Sequence, residues 1–81
     1  MSNDMDDDEE LAAMRANFRR LREGNGWTLA ELSRISGIRA NVLADIEEAG
    51  RNFGICDLLK LCGIYHIRPA KIFYPVEIPG L

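Results

Sequence analysis

The stretch that most limits what this chain can fold into is Gly26 to Glu47, GWTLAELSRISGIRANVLADIE. Thr28 can cap a helix with its hydroxyl, and the Glu31 carboxylate three residues on can reach back to the cap's backbone amide. Leu32 and Ile35 follow at helical spacing as inward residues. Gly37 stands where the chain must reverse, because glycine accepts a positive φ without steric cost and lets one helix stop and another leave steeply. The inward set resumes at Ile38, Leu43 and Ile46. The unit is two short helices meeting at a sharp glycine turn.

Its flanks extend the helical pattern. Leu11, Met14, Phe18 and Leu21 make one apolar stripe on a helix from about Glu9 to Glu23, which ends at Gly24-Asn25-Gly26. Trp27 precedes the Thr28 cap and can fold against the next helix as a hydrophobic staple. The two helices of the unit span about Thr28 to Ser36 and Ala40 to Glu48, and Gly50-Arg51-Asn52 is a loop by composition. A fourth helix from about Ile55 to Tyr65 presents Ile55, Leu58, Leu59 and Cys62 inward. A fifth begins near Pro69, where proline suits a first turn, and includes Ile72 and Phe73. Pro75 stops it, and Val76-Glu77-Ile78 is extended between two prolines. The expectation is an all-α domain of five helices over residues 9–73, preceded by an acidic disordered arm, 1–8, and followed by an extended tail, 74–81.

Size and charge exclude several functions. At 81 residues the chain makes one small domain without volume for a buried catalytic cleft, so an enzyme is not expected. No hydrophobic run approaches the roughly 18 residues of a membrane span. The amino terminus, MSNDMDDDEE, is acidic where a secretory signal would be basic and then apolar, which points to the cytosol. Cys56 and Cys62, six apart on one helix, point to different azimuths and suit a mutual disulfide poorly; both read as small apolar residues. His66 is the single histidine, without a neighbouring ligand pattern, so neither a metal nor a cofactor is expected.

The formal charge of −3 is unevenly spread. Asp4, Asp6, Asp7, Asp8, Glu9 and Glu10 put six carboxylates and no base into the first ten residues, and the remainder is mildly basic. The arm reads as a solvated tail whose last carboxylates suit the positive end of the first helix. A sharper reading has it compete with phosphates for the protein's own basic surface.

In order and ungapped spacing, FRRLREGNGWT, LAELSRISGI, the Ile46-Glu47 pair and DLLKLCGIYHIRPAKIF resemble the Cro/C1-type helix-turn-helix family of phage repressors and bacterial regulators. The likeness covers about Met14 to Phe73. It implies a five-helix lambda-repressor-like fold in which the third helix enters the DNA major groove and the second lies across its mouth. The base-reading positions then fall on Ala40, Asn41, Ala44 and Asp45, with Glu48 where the family usually faces the DNA backbone. Asn41 suits adenine N6 and N7, Asp45 a cytosine amino group, and Ala40 a thymine methyl. The resemblance also implies an ion pair between Arg22 and Glu47 that fixes how the third helix sits on the first. Leu29 departs from the family, which often has glutamine there.

Phosphate binding needs cations and amide donors, and the residues around the unit supply them. Arg19, Arg20, Arg39 and Arg51 flank it in sequence, and the helix start at Thr28 offers backbone amides to an anion. Against them, Asp45, Glu47 and Glu48 load the second half of the third helix with carboxylates. Two functions follow. One is a sequence-specific regulator binding double-stranded DNA, as a homodimer on a two-fold operator because one short helix contacts few bases. The other is a protein-binding module, antirepressor or antitoxin-like, with an acidic helix facing its partner. Tyr74, Val76, Ile78 and Leu81 leave apolar side chains on the tail for a partner subunit to bury, or for the tail to fold back on its own helices.

Overall fold

Helices of eight to ten residues do not persist alone in water, because nucleation costs more than so few hydrogen bonds return. Three of the four α-helices here have that length. They stand because each lends apolar side chains to a common core. In a computed structural model of the chain, which describes residues 3–48 and 54–74 with side chains from Glu9 onward, α1 spans Asn3–Gly24, α2 Leu29–Ser36, α3 Ala40–Glu48 and α4 Ile55–Ile64. A 3-10 helix, Pro69–Phe73, closes the described chain. No strand occurs among the described residues.

The core takes Met14, Phe18 and Leu21 from α1, Leu32 from α2, Ile38 from the turn, and Leu43 and Ile46 from α3. Leu58, Leu61 and Cys62 of α4 and Ile72 of the 3-10 helix complete it. At about 1.5–3 kcal/mol for each large aliphatic side chain fully buried, these contacts outweigh the marginal intrinsic stability of the short helices. α1 packs against α3 and the 3-10 helix, and α2 packs against α3 and α4.

Backbone caps end the helices where expected. After α1, the Trp27 amide donates to Arg22 O and the Gly26 amide to Glu23 O, with Gly26 at φ 73°. This is a Schellman arrangement. The same pair of bonds follows α4, from Ile67 to Cys62 O and from His66 to Gly63 O. There the left-handed position is held by His66 at φ 57° rather than by a glycine.

Four expectations need correction. α1 begins at Asn3, not near Glu9, so the acidic run continues the helix instead of forming a disordered arm. Nothing in it breaks a helix, and acidic residues suit a helix's amino end. The fifth helix is a 3-10 helix of five residues: Pro69 starts it, Pro75 follows closely, and too little chain lies between for α-helical bonds to develop. Ile55 and Leu59, inward by helical spacing, are 65% and 49% exposed, because the apolar stripe of α4 is wider than the face the core can cover. Ile35, at the flank of α2, is exposed for the same reason.

Candidate nucleic-acid interface

The start of α2 is built by reciprocal hydrogen bonds. The Glu31 amide donates to Thr28 Oγ1 at 3.0 Å, and the Thr28 amide donates to Glu31 Oε1 at 2.8 Å. Those bonds hold the Glu31 carboxyl below the usual carboxylate range, with the backbone donor as the larger cause. They also engage Thr28 internally and place a carboxylate at the helix end that would attract an anion. At the other end Gly37 takes φ 76° and its amide donates to Ser33 O. Ser33 Oγ donates to Ile38 O at 2.6 Å and Ser36 Oγ accepts from the Ile38 amide at 3.1 Å, so two hydroxyls fix the turn that aims α3.

From behind, α3 is clamped. Arg22 of α1 donates from Nε to Glu47 Oε2 at 2.8 Å and from Nη2 to Oε1 at 2.9 Å. Its third contact, Nη1 to Trp27 O at 2.9 Å, ties in the residue before the α2 cap. One guanidinium thus joins α1, α3 and the entry to α2, and the Glu47 carboxylate raises its pKa above the ordinary arginine value. The bidentate geometry matches the planar fork of arginine to a carboxylate, a fit lysine could not reproduce. Trp27 stacks on Tyr65, with centroids 6.1 Å apart, and so brings the end of α4 into the same joint.

The front of α3 is open. With Leu43, Ile46 and Glu47 buried, Asn41, Ala44 and Glu48 form an outward row at i, i+3 and i+7. Asn41 and Glu48 are exposed, as is Ala40, while Ala44 and Asp45 are half-buried beside them. Glu48 therefore shares the ridge with Asn41 instead of standing apart. Small alanines, Ala40 before Asn41 and Ala44 between Asn41 and Glu48, let another surface approach the helix closely. Arg39, exposed, stands immediately before this ridge.

The remaining cations divide. At about 100° per residue, Arg19 lies about 60° around α1 from Arg22, on the flank that meets α3, whereas Arg20 lies about 160° away. Both are exposed, and Arg19 sits 4.0 Å from Glu23, a solvated pair of little energetic consequence. Helical spacing therefore puts Arg19 nearer than Arg20 to the side of α1 that carries Arg22. Arg51 lies outside the described residues, as do Val76, Ile78 and Leu81. Tyr74 is exposed, and its carbonyl accepts from Asn17 Nδ2 at 2.7 Å.

Two contributors were missed in the sequence. Asn17 is buried on the inward face of α1 and also donates to Ile72 O at 2.8 Å, tethering the 3-10 helix across 55 residues of chain. Its signal is a polar residue at an inward position between Met14 and Phe18. Tyr65 bridges Phe18 and Trp27, and burial pushes its hydroxyl well above the usual tyrosine pKa, with Glu47 adding to the shift. Only its place after an apolar helix could have marked it.

Among the described residues, no group of His, Cys, Asp and Glu could hold a metal ion, and no helix is long and apolar enough to cross a membrane. A family model for helix-turn-helix domains matches residues 18–72, more than half of the chain, while no curated protein and no solved structure matches it. That span begins at Phe18, includes the Arg22–Glu47 clamp, the Thr28 cap, the Gly37 turn and the α3 ridge, and ends at Ile72. The chain belongs to the Cro/C1-type helix-turn-helix family of DNA-binding regulatory domains.

Proposed function

We propose that this protein is a sequence-specific regulator of transcription, repressor-like, that sets α3 into the major groove of double-stranded DNA. The observation that carries the reading is the division of α3: one side locked to α1 through Glu47 and Arg22, the other a ridge of Asn41 and small alanines with Arg39 at its head. A reading helix needs that rigidity behind and that access in front. Asn41 pairs with adenine, Ala40 and Ala44 pass close to base edges and thymine methyls, and Asp45 accepts from cytosine. Arg19, Arg20, Arg39 and Arg51 meet phosphates, while the Glu31 carboxylate at the start of α2 takes the Thr28 end out of that set. The carboxylates in the second half of α3 confine base reading to its first turns. Two copies on a two-fold operator supply the contacts that one helix lacks, and the work is done on chromosomal DNA in the cytoplasm.

Selection of bound duplexes from a random pool, at stated salt, tests this: a palindromic site is expected. Arg39→Glu with Arg51→Glu should then weaken binding to that site and flatten its salt dependence. If neither affinity nor salt slope changes, the reading fails.

Glu48 favours a second reading. An exposed carboxylate at the carboxyl end of a helix opposes the helix dipole, and here it shares a ridge that would face phosphates. A protein partner with a basic surface, in an antirepressor or antitoxin-like module, would use it. Failure to recover any duplex, together with loss of partner binding in Glu48→Lys, would favour that reading.

A further inference from the structure

Among the described residues two buried side-chain atoms have no hydrogen-bond partner, Asn17 Oδ1 and the Tyr65 hydroxyl. Asn17 already uses its amide nitrogen on two carbonyls, whereas the Tyr65 hydroxyl makes no bond at all. An orphaned buried hydroxyl costs stability that phenylalanine, of nearly the same shape, would not. The ring beneath it is held from two sides, by Phe18 at 6.3 Å and by Trp27 at 6.1 Å between centroids.

The acceptor at hand is Glu47. Trp27, on which Tyr65 stacks, gives its carbonyl to Arg22, and Arg22 holds Glu47, so all four side chains belong to one joint. Each Glu47 carboxylate oxygen accepts one bond from Arg22, while an ionised carboxylate offers about four acceptor positions. One joint thus contains a donor without an acceptor and an acceptor with capacity to spare. Burial first, and then the Glu47 charge, push the hydroxyl above the ordinary tyrosine pKa while Arg22 opposes them, as befits a phenol near that ion pair. The hydroxyl keeps its proton and remains a donor.

The two groups stand on elements with different parts to play. Tyr65 ends α4, which packs on α2 and the 3-10 helix, whereas Glu47 belongs to α3, whose front is open. A ligand loading that front can shift Glu47 relative to Tyr65 without unstacking the aromatic rings. We propose that Tyr65 is a positioning residue for DNA recognition, its hydroxyl donating to the Glu47 carboxylate when α3 is seated on its own site and standing unpaired in the free protein. The stability withheld from the free protein is then returned on docking, and only to a duplex that draws α3 into that seat. Tyr65 acts through Glu47 on the choice of sequence.

Because this role presupposes that α3 reads DNA, Tyr65→Phe is measured both without and with duplex. Alone, the variant should melt about 4 °C or more above the unaltered chain, since the orphaned hydroxyl is gone. It should bind the selected site about tenfold more weakly, the share of one hydrogen bond to a charged group, and a random-sequence duplex of equal length as before. A merely structural role would not yield a more stable protein that discriminates less. A melting temperature that is unchanged or lower would overturn the proposal, because the hydroxyl would already be partnered in the free chain. So would an unchanged affinity for the selected site, or an equal loss on both duplexes. If the unaltered chain prefers no duplex, the DNA reading falls and this role with it; a preference that Tyr65→Phe leaves intact removes the role alone.

Discussion

On α3, the face carrying Leu43, Ile46 and Glu47 and the face carrying Asn41, Ala44 and Glu48 lie within one helix diameter of each other. Each back-face residue answers to several partners at once: Glu47 must meet the Arg22 fork, and Leu43 and Ile46 must fill the core. The front-face residues answer to the helix alone, and their chemistry is left to whatever docks there. Changes behind should therefore alter folding, and changes in front should alter recognition.

The largest effect is expected from Glu47→Ala. Removing one partner of a buried pair strands the other charge, so urea denaturation should show a loss of about 3–5 kcal/mol. A loss under 1 kcal/mol would erase the distinction between the faces. Asn41→Ala should leave stability within about 0.5 kcal/mol. Against the selected site and its single-base variants it should lose about 1–3 kcal/mol of discrimination at one position. Uniform weakening across all sequences would instead make Asn41 a backbone contact.

Two further changes act on the frame around both faces. Thr28→Ala should cost about 1 kcal/mol by removing the cap of α2. Because the Glu31 carboxyl is held below its usual range in the folded state, its contribution is present above the ordinary carboxylate pKa and is lost as pH falls through the lowered value. Glu31→Gln should accordingly flatten the acid side of the stability profile. His66→Gly should raise the melting temperature by relieving a left-handed non-glycine residue, a gain of about 1 kcal/mol. It should leave base discrimination untouched, because it lies on neither face of α3.

The same contrast explains what could be read from the residues alone. Thr28, Glu31 and Gly37 are legible because capping and left-handed turns demand particular side chains at particular spacings. The Arg22–Glu47 pair came only through the family resemblance, since 25 residues separate its members. Ile55 and Leu59 were misplaced because periodicity finds an apolar stripe but not how much of it a small core covers. Asn17 and Tyr65 escaped notice because their partners, the carbonyls of Ile72 and Tyr74 and the ring of Trp27, are set by the fold and not by a local pattern. On the front of α3 the side chains are legible and their ligands are not, for helical spacing tells which residues face outward and nothing about the surface they meet.

The placement of Trp27 has an experimental consequence. It is the single tryptophan, stacked on Tyr65, with its carbonyl held by the arginine that clamps α3. Indole emission therefore comes from one known location, the joint of α1, α2, α3 and α4. Its intensity and colour report whether that joint is closed, without a dye or an added label, and stopped-flow fluorescence can time its assembly against the far-ultraviolet signal of the helices.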